Sequence, residues 1–419
     1  MFWQGNVYVQ DGIHSSTLRL VYDKTAPGND GAGAVDPQMS PDGRLVAFVK
    51  DGEIFVSSVE PSSTGTAQRL PGSPSAVGGA SPAAGASRLP PPVQLTFGGS
   101  SNGVTHGLAD FVAQEEMDRY RGFWWSLDSS SIAFTEVDER HIPSFRIMHQ
   151  GKDSVGEGAQ EDHHYPFAGK DNPKVRLAVV QVDGEAIQRG QATTSRETFC
   201  PVWMDIGGGM ASPSAPAANN DPSANGETAT SASPASAAAN EGVEGSAGEE
   251  KGGSGAGEIY LARVNWLQDG SLCAQVQNRN QTELRLLRLD PNSGAHTVLV
   301  VERSKVWINL HHLLRSLPSP TPQQPPEESA NSGGGGGNGD NGGCGSGSTV
   351  SGMDVSPSSS SCAPAPAPDG SFHFIWASER SGYMHLYLYQ YVPGADRAVE
   401  VRQITCGEWV VESVVGVDQ

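Results

Sequence analysis

The sequence predicts an all-β fold, a β-propeller or a β-sandwich, and two observations carry that prediction. Short runs rich in β-branched and aromatic residues are separated by Asp-Gly and Asn-type turns, which are hairpin signals. The same turn–strand–turn–strand order then recurs along the chain, as propeller blades require and as the hairpins of a sandwich also provide.

Met1 to Val9 reads as a strand that begins abruptly, without the basic region and apolar run of a signal peptide. Ser40-Pro-Asp-Gly43 is a turn ahead of a strand over 44–49, and Lys50-Asp-Gly52 turns that strand into a second over 53–57. Trp125-Ser-Leu-Asp128 precedes a strand over 131–136. Trp266-Leu-Gln-Asp-Gly270 leads into 272–276, which turns near Arg279 and Asn280 into 282–289. Pro368-Asp-Gly370 opens the last pair of strands, 372–376 and 383–388.

Three stretches break the pattern. Residues 207–257 hold no aromatic side chain and a single β-branched aliphatic, Val243, while 318–370 lack aromatics and carry the run Gly333 to Gly337. Residues 62–92 are rich in Pro, Ala, Gly and Ser. Such segments bury too little apolar surface to offset backbone ordering at roughly 1–2 kcal/mol per residue. They are expected to be disordered insertions within one partial propeller spanning 1–419.

With 27 basic and 47 acidic residues the net charge is −20, which argues against a nucleic-acid or anionic-membrane surface. No apolar run approaches the ~20 residues of a membrane span. Five cysteines, at 200, 273, 344, 362 and 406, show no Cys-x-x-Cys spacing, fit a reducing compartment and point to a cytoplasmic setting. No cofactor or metal is expected. The adjacent pairs His163-His164 and His311-His312 are poorly spaced to share one ion. The Gly-rich runs lack the strand and helix of a nucleotide fingerprint. Asn280-Gln-Thr282 is a chance glycosylation sequon in a chain without secretory features. One Gly-x-Ser-x-Gly match, Gly99-Ser-Ser-Asn-Gly103, is not followed by a helix and reads as a loop rather than a nucleophile elbow.

Glu115 and Glu116 sit side by side just ahead of the aromatic strand start Phe123-Trp124-Trp125. Adjacent like charges repel, so the pair suits the binding of a cation, and two carboxylates can share the three donors of an ammonium group. Two structural alternatives stand beside this. Both acids could simply face water on a short helix, or they could pair with Arg119 and Arg121.

The stretch Phe111-Val-x-Gln-Glu-Glu-x-Asp-Arg-Tyr-x-Gly-x-Trp-Trp125 closely resembles the glutamate motif of the dipeptidyl peptidase IV family of prolyl oligopeptidase-type serine peptidases. It is most similar to the cytosolic dipeptidyl peptidase 8/9-like and bacterial branch. Tyr165-Pro-Phe-Ala-Gly-Lys-Asp-Asn-Pro-Lys-Val175 and Phe374-Ile-Trp-Ala-Ser-Glu-Arg-Ser-Gly-Tyr383 with the strand after it resemble later family segments in the right order, as does Ile404-Thr-Cys-Gly-Glu-Trp409. The resemblance implies an incomplete β-propeller. It also implies that Glu115 and Glu116 grip a peptide's free N-terminus, so that dipeptides are released, typically after Pro or Ala, by enzymes that are often homodimers. A non-catalytic propeller binding proteins or peptides is the alternative.

The family's Gly-Trp-Ser-Tyr-Gly-Gly type of signature is absent from the sequence, and so are the segments that would supply Asp and His. The chain is therefore expected to be a fragment that binds substrate but carries no catalytic residue. The family's substrate-binding arginine is expected upstream of Met1, and none is assigned here.

Overall fold

A computed structural model describes residues 2–10, 12, 14, 18–26, 29, 31–60, 89–99, 103–149, 159–207, 258–317 and 370–417. The expected insertions lie outside the described residues except at 89–92, 207 and 370, where Leu89 packs half-buried against core and Pro90 is buried. The chain divides into two units, Met1–His312 and Leu313–Gln419.

In the first unit, β1 (Phe2–Trp3), β2 (Asn6–Gln10) and β3 (Leu18–Tyr22) form a three-stranded sheet. The single strand expected over 1–9 is thus two, because Gln4 and Gly5, at φ 51° and 82°, turn the chain back on itself. The strands β4 (Val35–Met39), β5 (Leu45–Lys50), β6 (Glu53–Ser58) and β7 (Val93–Gln94) form a four-stranded meander. The next sheet is built on a long strand. Its members are β8 (Val104–His106), then β9 (Phe123–Trp125) beyond the helix α1 (Phe111–Met117), and β10 (Ser131–Asp138). A separate hairpin, β11 (Ser144–Met148) with β12 (Gln160–His164), is exposed along both strands. The sheet is completed by β13 (Lys174–Gln181) and, after the short helix α2 (Gly184–Gln188), by β14 (Val202–Trp203). Finally β15 (Ile259–Trp266), β16 (Leu272–Asn278), β17 (Glu283–Leu289) and β18 (His296–Arg303) form another meander.

Successive sheets of this unit pack face to face. In β5, Leu45, Ala47 and Val49 join one core with Phe123, Ile132 and Phe134, whereas Val46 and Phe48 join another with Val7, Val21 and Tyr22. Alternate residues of a strand point to opposite faces, and both faces here are covered. That is why 45–49 reads as a continuous apolar run rather than an alternating one. Likewise β10 sends Ile132 and Phe134 one way and Ala133 the other, towards Leu261, Leu272 and Leu287.

The second unit is one meander, β19 (Arg315–Leu317), β20 (Phe372–Ser378), β21 (His385–Tyr391) and β22 (Val399–Gln403). Along β21 buried residues alternate with half-exposed ones, and Tyr389 stacks on Phe374 with ring centroids 5.3 Å apart. Four-stranded antiparallel meanders in chain order are propeller blades. The all-β propeller class expected from the sequence is borne out. Among the described residues no helix is long and apolar enough to cross a membrane.

Candidate functional site

The helix carrying the glutamates leaves the sheet through a narrow neck. Both β8 and β9 pair with the same edge of β10, β8 at Glu136–Asp138 and β9 at Ile132–Phe134, and α1 lies between them in sequence. Below the helix, Leu108 and Arg121 form an isolated antiparallel bridge. A β carbon on Gly122 would stand 2.4 Å from backbone atoms of Gly107 and Leu108, so only glycine lets the two limbs of the neck approach this closely. Thr135 ties both limbs, its amide donating to Gly122 O at 2.8 Å and its hydroxyl to Leu108 O at 2.9 Å.

Local sequence explains where the helix starts and stops. Asp110 is the N-cap, with extended backbone and a carboxylate accepting from Ala113 N at 3.1 Å. Asp118 ends the helix in the left-handed region at φ 52°. That turn sends Arg119 back beneath the helix, where it is buried. Its guanidinium donates to Asp110 Oδ1 at 3.1 Å, to Leu261 O at 3.1 Å and to Arg121 O at 2.9 Å. A second buried arginine, Arg263 on β15, donates to the carbonyls of Met117 and Ala262 and contacts His312 at 3.0 Å. His312 also meets Asp118 at 3.2 Å. Two cations therefore fasten the helix to β15 from below.

Glu115 and Glu116 are exposed, and neither makes an ion pair or side-chain hydrogen bond among the described residues. The ion pairs weighed for them do not form, because Arg119 is committed to Asp110 and Arg121 carries no ion pair to either glutamate. Both acids also sit in the C-terminal half of a seven-residue helix that has no basic residue in its last turn, where the helix dipole disfavours negative charge. Beside the helix, Phe111 packs on Tyr165 at 5.0 Å between ring centroids, and Tyr165 on Phe167 at 5.0 Å.

A family model for the dipeptidyl peptidase IV N-terminal region matches residues 86–202 and 250–419, more than half of the chain and including α1. The chain belongs to the dipeptidyl peptidase IV N-terminal region family. It is 28% identical to dipeptidyl peptidase 4 of Felis catus over 115 residues, 27% of this chain and 15% of that one. To human dipeptidyl peptidase 8 it is 22% identical over 243 residues, 51% of this chain and 21% of that one. The crystal structure of Porphyromonas gingivalis dipeptidyl peptidase 4 shares the fold, with a TM-score of 0.52 at 18% identity over 99% of this chain. The chain spans 39% of that structure's length and smaller shares of the two curated relatives.

The weaker sequence signals can be placed within this dipeptidyl peptidase IV-type region. The three residues inside the Gly99–Gly103 match lie outside the described residues, and the chain enters strand β8 after Gly103 instead of a helix. His163 and His164 stand on the exposed strand β12, where His164 meets Ile142 O at 2.8 Å.

Sequence reasoning missed one polar cluster. His106, at the end of β8, is buried with Nδ1 2.8 Å from Glu53 Oε2 and Nε2 3.1 Å from Glu136 Oε2. Glu53 also accepts from Thr96 Oγ1 at 2.6 Å and Gly99 N at 2.5 Å. Arg176 takes the other oxygen of Glu136 at 3.0 Å and lies over the Trp203 ring, 3.4 Å from its centroid. Burial alone would lower the His106 pKa, but hydrogen bonds to Glu136 and Glu53 and their charges outweigh it and raise it to about 9. Burial pushes both carboxyls up, and His106 with its neighbours more than reverses that, leaving them below their ordinary value.

Proposed function

We propose that this chain is the substrate-recognition propeller of a serine-type dipeptidyl peptidase, in which Glu115 and Glu116 bind the α-ammonium of a peptide's free N-terminus. One observation carries the reading: two neighbouring exposed carboxylates that meet no cation among the described residues, on a helix fastened by buried arginines. An ammonium ion offers three donors, and each carboxylate accepts without rearranging the fold.

Holding the N-terminus at a fixed point sets the distance to the scissile bond. Cleavage after the second residue then follows from position rather than from side-chain chemistry. The acyl transfer itself belongs, in this reading, to a serine of the family's hydrolase domain, activated by His and Asp. This chain contributes binding and orientation. Among the described residues Cys200, Cys273 and Cys406 form no disulfide, in keeping with the reducing, cytoplasmic setting of this reading.

The test compares the binding of alanyl-prolinamide with that of its N-acetyl counterpart. Charge-assisted hydrogen bonds contribute roughly 1.5–3 kcal/mol, so Glu115→Gln or Glu116→Gln should weaken the free amine about tenfold to a hundredfold and leave the acetylated probe unchanged. Equal binding of both probes by the unsubstituted chain would remove the ammonium site and favour a propeller that binds other features of a partner.

A further inference from the structure

His106 joins two sheets and the neck of α1 at once. Its ring spans Glu53 on β6 and Glu136 on β10, and its own amide donates to Gly52 O at 2.7 Å. Ionised carboxylates only accept, so a ring with a carboxylate at each nitrogen must donate from both, which only the imidazolium does. Beyond the two glutamates, Arg176 from β13 faces Glu136, and Arg196 lies with His106 against Gly98, at 3.6 and 4.0 Å from where a β carbon would stand. Phe134 meets the ring edge-on at 5.5 Å and Phe199 lies at 6.1 Å.

The link from His106 to the helix has no slack. Gly107 donates to Thr135 O at 2.8 Å, and at φ 82° a β carbon there would lie 2.7 Å from Ile54 Cγ1. Leu108 is held by the Thr135 hydroxyl and the bridge to Arg121, and Asp110 is already the N-cap. Resting on the ammonium-binding reading of Glu115 and Glu116, we propose that His106 is their positioning residue. Clamped as an imidazolium between Glu53 and Glu136, it fixes the segment 107–110 from which α1 springs.

The full chain serves for the test. Ring nitrogen resonances of His106 at pH 8 should show both nitrogens protonated, and a singly protonated ring would overturn the clamp. In His106→Gln, amide exchange at Gln114 and Arg119 should quicken about tenfold or more while β16 and β17 keep their protection. Glu136→Gln serves instead if that variant does not fold. Unchanged exchange in α1 of a folded variant overturns the proposal. The preference for alanyl-prolinamide over its N-acetyl counterpart should fall about tenfold in the same variant, and less than additively when combined with Glu115→Gln. Raising the pH through about 9 should convert the doubly protonated ring to a singly protonated one, while the probe preference is compared at about pH 7, because the α-amino group of alanyl-prolinamide itself deprotonates at about 7.7–8.0. A chain with no such preference at any pH would overturn the ammonium reading, and the exchange measurement would still decide whether His106 holds the helix.

Discussion

Glu53 and Glu136 close on His106 from two sheets, and Arg176 takes a remaining oxygen, so both carboxylates end inside the fold beside cations of the chain's own. Glu115 and Glu116, on α1, meet no cation among the described residues although Arg119 is only a few positions away. The difference is one of backbone direction rather than composition. The left-handed residue Asp118 turns Arg119 under the helix to Asp110, leaving the two glutamates above it. Carboxylates matched internally hold the structure together, and unmatched ones remain available to a ligand.

Five substitutions would break or sharpen that contrast. The largest effect is expected from Arg119→Met, which leaves Asp110 buried without its partner. Removing one member of a buried pair costs about 3–5 kcal/mol, to be read from the urea midpoint of the first unit. A loss below about 1 kcal/mol would mean that the helix does not depend on this clamp.

Next comes Glu53→Gln, expected to cost about 1.5–3 kcal/mol. It should also reshape the alkaline limb of stability. The folded pKa of His106, about 9, lies above its ordinary value, so its stabilisation is complete below about pH 6.5 and is lost as pH rises through 9. Glu53→Gln should move that loss to lower pH. The lowered pKa values of Glu53 and Glu136 act on the acid side, where their contribution disappears as the pH falls below the ordinary carboxylate range. A flat profile between pH 7 and 10 would count against the imidazolium.

The sign reverses at the helix. Glu115→Gln and Glu116→Gln relieve repulsion and an unfavourable dipole, so stability should hold or rise by a few tenths of a kcal/mol while free-amine binding falls. If either variant melts earlier, its carboxylate is holding structure after all. Smallest is Arg146→Ala on the exposed hairpin, where the bidentate pair with Asp162 faces solvent and the midpoint should not move measurably.

Much of this was legible in the residues. Turn chemistry located β5, β6, β10, β16, β17, β20 and β21 to within a few positions, because short-range signals determine hairpins. The glutamate motif pointed to a short helix ahead of Phe123, and α1 lies there. His106 was not legible. Its partners lie 53 and 30 positions away, and pairing at that range depends on which sheets face each other. A faint signal existed in Glu136, a carboxylate flanked by the apolar run Ile132-Ala-Phe134 and Val137, since a charge in such surroundings needs a partner. The Gln4-Gly5 turn was also missed, because the apolar residues on either side of it resemble one uninterrupted strand.

The closed neck under α1 has an evolutionary consequence. Its two limbs meet at the Leu108–Arg121 bridge and are seated on one strand through Thr135, so the ladder of β10 has already brought the ends of 109–121 together. A loop whose ends are pinned by its scaffold behaves as a cassette, and changing its length costs only about 0.6 kcal/mol per doubling. In the ammonium-binding reading, recognition could diversify by changes within this cassette while the blades stay as they are, provided that Arg119 and the Met117 carbonyl keep their seats on β15. A graft of 109–121 onto another propeller would have to bring the neck glycines, a threonine at the position of Thr135 and an arginine at that of Arg263, or the helix would arrive without its seat.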